Sequence, residues 1–152
     1  MSLTSLIALV VFVGLTAGAA AFGAQFRPGA WYAALAKPTW TPPNWVFAPV
    51  WTTLYVMIAV AGWLAWRESG SRTVIIIWAV GLALNAAWSY LFFGQQQIFA
   101  ALIDIVAMWL MIAAFIGAAW PLNRLASLLF VPYLAWVSLA TALNWTIYRM
   151  NG

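Results

Sequence analysis

Apolar residues in this chain run in long blocks, and polar residues fall mostly between them. A helix that crosses a bilayer needs roughly 20 predominantly apolar residues. Five blocks reach that length: 3–24, 45–66, 73–93, 98–119 and 125–148. The run from Arg67 to Arg72 closes the second, Gly94 and Gln95-Gln96-Gln97 close the third, and Trp120 to Arg124 separates the last two. The pattern predicts an all-α integral membrane protein, one five-helix transmembrane domain spanning 1–152. Short connections force sequential neighbours antiparallel; only the loop 25–44 is long. The first block reads as a span rather than a cleaved signal peptide. Nothing basic precedes Arg27, and the block exceeds the about 7–15-residue apolar core of a leader.

Composition strengthens this reading. Of 152 residues, 67% are hydrophobic and 5% charged, against about 25% charged in a soluble domain. The six bases are scattered and make no nucleic-acid patch. Arg67, Arg72 and Arg124 fall on the side of the N-terminus, and Arg27, Lys37 and Arg149 on the other, so the positive-inside rule leaves orientation open. The chain has no cysteine and no histidine. Disulfides, thiolate chemistry, Cys/His zinc sites and Ser-His or Cys-His nucleophiles are excluded. A haem iron would find only Met or Tyr. No catalytic residue and no metal site is assigned, and no covalent cofactor is expected. Nothing resembles an organellar transit peptide, which points to a bacterial cell envelope.

The loop between the first two spans carries the densest signal. Trp31 to Trp51 holds four tryptophans and four prolines. Prolines at that density forbid a continuous helix and favour a stiff, extended lid. Trp51 lies more than a turn into the second span, with Tyr55 one turn further on the same face. Trp88 and Trp136 lie deep in the third and fifth spans. If these four converge beneath the loop they form an aromatic pocket with Asn85 as its polar handle; the alternative is plain bundle core. Trp45, Trp63, Trp66, Trp120 and Trp145 stand at span ends and read as interfacial belt.

Few polar groups are hidden in the spans, and each matters. Asp104 reads either as a structural hydrogen bond or as a gate, ligand or proton site. Asn85 and Asn144 read as interhelical links or ligand contacts. Ala79, Ala83 and Ala87 make a small-residue face in the third span, and Gly14 and Gly18 another in the first; such faces suit helix packing or dimerisation.

Taken together, these motifs resemble the tryptophan-rich sensory protein/translocator protein family (TspO, the peripheral-type benzodiazepine receptor). The likeness rests on Trp31-Tyr32-x-x-Leu35-x-Lys37-Pro38-x-Trp40-x-Pro42-Pro43, Trp51, Asn85-x-x-Trp88, Phe92-Phe93-Gly94, Ala101-Leu102-x-Asp104 and Val131-Pro132-Tyr133-Leu134-Ala135-Trp136 through Asn144. It covers essentially the whole chain. The resemblance implies a five-helix bundle, often a homodimer, with a pocket under the first loop. It implies porphyrin ligands such as protoporphyrin IX and haem, and synthetic isoquinoline or benzodiazepine ligands. The family's pocket positions correspond to Tyr32, Pro42, Trp51, Tyr55, Asn85, Trp88, Trp136, Ala140 and Asn144. Third-span dimerisation would use Ala79, Ala83 and Ala87, while Lys37 and Asp104 stand as gate or structural polar residues.

Cholesterol, which animal members bind, is not expected. The associated pattern needs Tyr followed at a short spacing by Lys or Arg, and here Trp145 stands where the tyrosine should and Arg149 directly follows Tyr148. The leading expectation is a membrane receptor or carrier for a flat tetrapyrrole, with Lys37 or Arg27 pairing a propionate. The rivals are a light- and oxygen-dependent porphyrin-degrading enzyme, a small transporter, and a scaffold for another membrane protein.

Overall fold

Polar residues set the helix ends in the computed structural model, which describes residues 1–152 apart from the side chain of Ser69. The elements are α1 (Leu3–Ala24), α2 (Ala30–Ala34), α3 (Asn44–Ser69), α4 (Arg72–Ser89), α5 (Ile98–Ala119), α6 (Arg124–Leu129) and α7 (Val131–Asn151). Ser2, Ser71 and Asn123 accept the backbone N–H groups of Ser5, Val74 and Ala126 at 3.1, 3.5 and 3.0 Å. Each satisfies a donor that the first helical turn leaves free. Gly70 stops α3 at φ 60°, its N–H on Trp66 O at 2.9 Å; glycine takes that left-handed conformation without Cβ strain.

Five helices are long and apolar enough to cross a membrane. The first and fourth match their expected bounds, 3–24 and 98–119. The second runs beyond 66 to Ser69. Charge at Arg67 and Glu68 ends the apolar stretch, not the helix. The third closes in a π-helical turn, Tyr90–Gly94, where Gln95 N–H reaches Tyr90 O at 2.7 Å. The fifth is interrupted at Phe130, between α6 and α7. Pro132 brings no N–H, and its ring excludes the carbonyl four residues earlier. The loop 25–44 is not extended throughout. Between Pro28 and Pro38 no proline intervenes, and the chain makes the short α2 there.

α1 packs on α3 and α4, α4 on α5, and α5 on α7. Phe12, Ile58, Trp78, Leu82, Ile105, Met108, Ile112, Phe115, Phe130 and Val137 form the buried centre. One contact needs a missing side chain: a Cβ on Gly62 would lie 2.6 Å from Trp78 Nε1 and 2.8 Å from Phe12. Trp78 therefore presses its Nε1 edge close against α3, its N–H donating to Ile58 O at 2.8 Å. The outer surface is apolar, with Leu6, Val10, Ile76, Ile103 and Leu110 exposed, as a lipid-facing surface requires. Arg67, Arg124 and Arg149 lie over the rings of Trp63, Trp120 and Trp145 at 4.7, 5.1 and 5.4 Å. These cation–π pairs sit at span ends, where amphipathic rings and snorkelling bases belong.

Candidate functional site

A cavity of about 540 Å³ lies between the end of α1 and α3, α4, α5 and α7. Trp51 and Tyr55 from α3, Asn85 and Trp88 from α4, and Trp136 and Ala140 from α7 line it together. Trp51 faces Tyr55 at 5.6 Å and meets Trp136 edge-on at 6.4 Å; Phe47 closes on Trp136 at 5.6 Å. Trp88 stacks on Phe92 at 5.1 Å and meets Phe93 edge-on at 5.7 Å. Ile105 and Met108 supply the α5 wall. At the mouth, Ala24, Arg27, Asn44, Ala48 and Thr52 line the cavity and are exposed.

The polar groups at the cavity are mostly committed to each other. Tyr55 O–H donates to Asn85 Oδ1 at 2.9 Å, and Asn85 Nδ2 donates to Tyr133 Oη at 2.7 Å. This chain ties α3, α4 and α7 together, and it leaves Asn85 one free amide N–H. Asn85 is thus first a link between helices. Arg27 is the cation among the lining residues.

Three expected pocket residues stand elsewhere. Asn144 is 1% exposed and lies behind the wall. It accepts the Trp88 indole N–H at 3.0 Å and donates to Ile98 O at 3.1 Å, so it fixes the angle of the Trp88 ring. Tyr32 is buried against Phe93 at 5.4 Å and Phe92 at 6.1 Å. It props Phe93 from outside the cavity, and burial raises its phenol above the ordinary 10.0. Pro42 is half-buried in the lid but does not line the cavity.

Lys37 closes the lid helix. Its ammonium donates to the carbonyls of Tyr32, Leu35 and Ala33 at 2.7, 3.0 and 3.3 Å and lies 4.7 Å over the Tyr32 ring. Its donors are spent on backbone, which leaves Arg27 to meet an anion. Asp104 is 8% exposed, and its Oδ2 has no hydrogen-bond partner among the described residues. It does not line the cavity. Ala79 and Ala83 face outward, and Ala87 is half-buried.

Sequence reasoning missed part of the cavity's outer rim, Gly23, Phe26 and Phe47, while Arg27, expected to meet a propionate, does line it. One signal was available. Gly94 follows two phenylalanines, and a Cβ there would lie 2.8 Å from the Phe26 ring. Glycine at 94 marks the close approach of Phe26.

The bundle, the lid and the aromatic wall find a counterpart in known proteins. The TspO/MBR family profile matches residues 6–149. The chain belongs to the TspO/MBR family. It is 40% identical over 155 residues to the tryptophan-rich protein TspO of Chlorobaculum tepidum, covering 96% of this chain and 97% of that one. It is 38% identical over 151 residues to protein CrtK of Rhodobacter capsulatus, covering 97% and 94%. It is 41% identical over 126 residues to the human translocator protein, covering 80% and 75%. This TspO/MBR protein is an integral membrane protein whose five spans require a lipid bilayer.

Proposed function

We propose that the cavity binds a flat hydrophobic tetrapyrrole, protoporphyrin IX first and haem second, and that the protein is a membrane receptor or carrier for it. The observation that supports this reading is the convergence of Trp51, Trp88 and Trp136 on one cavity with Phe47, Tyr55 and Phe93. Flat rings offer a conjugated macrocycle apolar area, and each aromatic contact adds about 0.5–1.5 kcal/mol beyond burial. A volume near 540 Å³ lies within the about 300–1,000 Å³ typical of ligand pockets. Arg27 at the mouth suits a propionate.

The donor set favours a macrocycle without iron. The chain has no imidazole or thiolate, and the Tyr55 hydroxyl already donates to Asn85. Isoquinoline- and benzodiazepine-type ligands would use the same rings. A second copy of the chain is the proposed protein partner, packed through the outward Ala79–Ala83 face of α4, where small residues allow close helix approach. Bulky Ala83→Trp would then shift the detergent-solubilised protein from dimer to monomer in sedimentation.

The test of the ligand is a titration of purified protein with protoporphyrin IX in the dark, read by tryptophan quenching. Saturable quenching that weakens at least tenfold in Trp51→Ala/Trp88→Ala supports the reading; unchanged affinity in that double variant removes it. Repeating the titration under illumination reads the enzyme alternative. Protein-dependent loss of the porphyrin bands means degradation, and stable bands mean binding alone.

A further inference from the structure

A second apolar cleft opens on the outside of the bundle, between α3 and α7. It holds about 600 Å³ and is lined by Pro49, Val50, Thr53, Leu54, Met57, Pro132, Ala135, Trp136 and Leu139. Its outer rim, Pro49, Thr53, Pro132, Ala135 and Leu139, is exposed. Thr53 turns its hydroxyl back to Pro49 O at 2.9 Å, so the cleft offers an apolar surface to the lipid side.

Trp136 belongs to both spaces: the same ring lines this cleft and the inner cavity. Like Trp51 beside it, it is held by no indole hydrogen bond among the described residues. Trp63, Trp78, Trp88 and Trp109 each donate their N–H to a protein acceptor at 2.8–3.0 Å. Trp136 Nε1 is buried with no partner among the described residues. Ring edges of Phe47 and Trp51 hold it instead, and such contacts fix an angle less firmly than a directed hydrogen bond. The backbone around it is interrupted on both walls. Pro49 stands inside α3 and Pro132 at the start of α7, just after the break at Phe130. Pro49 deletes one hydrogen bond inside α3 and eases bending there, while Pro132, in the first turn of α7, keeps α6 and α7 from joining as one helix. α3 and α7 themselves touch only lightly.

We propose that this cleft is a membrane-facing vestibule, a second site for the same flat apolar ligand, and that the ligand passes from the bilayer core to the inner cavity by displacing the Trp136 ring. The proposal rests on the tetrapyrrole reading of the inner cavity. Its occupant follows from position: the cleft opens on lipid, is apolar, and shares a wall with the cavity. A molecule dissolved in the membrane reaches it without crossing water. The unpartnered indole N–H supplies a donor that a polar edge of the passing ligand can meet as the ring turns.

The test is kinetic, on full-length protein in nanodiscs, with protoporphyrin IX delivered in the lipid. Ala135→Phe and Leu139→Phe narrow the vestibule without touching the inner lining. Both the association and dissociation rates are expected to fall at least fivefold, together, with the equilibrium affinity unchanged. Ala48→Phe, at the mouth between α1 and α3, is the comparison. Slowing by Ala48→Phe alone, with the vestibule variants at wild-type rates, overturns the proposal. Loss of affinity in the vestibule variants, with rates of association unchanged, also overturns it. If the unmodified protein shows no saturable quenching, the cavity reading itself has failed, an outcome distinct from both.

Discussion

Asn151, in the last turn of α7, grips the backbone of Ala36, 115 residues earlier in the chain. Ala36 N–H donates to Asn151 Oδ1 at 2.9 Å, and Asn151 Nδ2 returns to Ala36 O at 2.8 Å. The pair pins the Trp/Pro-rich lid just after α2 and just before the Lys37 cap. Asn151→Ala removes both bonds from an exposed position, each contributing about 0.5–1.5 kcal/mol. Hydrogen exchange across residues 30–40 is expected to accelerate about fivefold while the spans keep their protection. Exchange at the wild-type rate would show that the lid is held by other contacts.

Asn144 is placed to act on the cavity through Trp88, whose indole N–H it accepts at 3.0 Å. In Asn144→Leu the Trp88 N–H loses its partner and the Ile98 carbonyl loses its side-chain donor, at a cost of about 1–3 kcal/mol. Porphyrin affinity falls, and the Trp88→Phe variant, which has no N–H to place, becomes insensitive to the same change. A double-mutant cycle on quenching affinity measures this. Additive effects would mean that Asn144 and Trp88 act separately.

Two kinds of glycine should respond oppositely to one methyl group. Gly62→Ala drives a Cβ into Trp78 and Phe12, an overpacking expected to cost about 1–3 kcal/mol. Gly14 and Gly18 have nothing within 4 Å of an added Cβ, so Gly14→Ala and Gly18→Ala leave thermal stability unchanged or slightly raised. Melting in detergent, followed by circular dichroism, separates the two classes.

Arg27 gives a charge-specific prediction. It stands exposed at the mouth and donates Nε to Ala24 O at 3.0 Å, which leaves the rest of the guanidinium to meet an anion. Arg27→Gln should weaken protoporphyrin IX binding about two- to fivefold, as an exposed ion pair allows. It should leave the dimethyl ester, which has no propionate charge, unaffected. Equal losses for both ligands would assign Arg27 a packing role.

Lid closure should weaken in strong alkali. Burial raises the Tyr32 phenol above its ordinary 10.0, so the folded lid favours the neutral ring. That contribution is complete below pH 10, the unfolded value, and is lost as pH rises through the higher folded value. Tyr32→Phe cannot ionise and removes this part of the alkaline loss. Proteolysis of the lid against pH, in both proteins, checks the sign.

The membrane-spanning architecture was legible because lipid imposes a length on every span, and α1 and α5 carry that length without interruption. Local backbone events were not. The π turn at Tyr90–Gly94 shifts a hydrogen bond by one residue and leaves no compositional mark; the break at Phe130 had only Pro132 as its sign. Trp51, Tyr55, Asn85, Trp88 and Trp136 converge as their places in the spans suggested, since helical faces can be read from periodicity, and Ala140 joins them as the family resemblance implied. Part of the rim was hidden because the path of a proline-rich loop cannot be read that way: Phe26 and Phe47 reach the cavity only through the turn that leads into and out of the lid. Asn144 and Tyr32 were visible as site residues, but not as supports standing behind Trp88 and Phe93.

Below the Tyr55–Asn85–Tyr133 chain the bundle is filled by Ile58, Trp78, Leu82, Ile112, Phe115 and Phe130. The chamber therefore has a floor. Under the proposed function, a ligand enters and leaves this chamber on one side of the packed core, so the same residues that end the cavity also hold the bundle together.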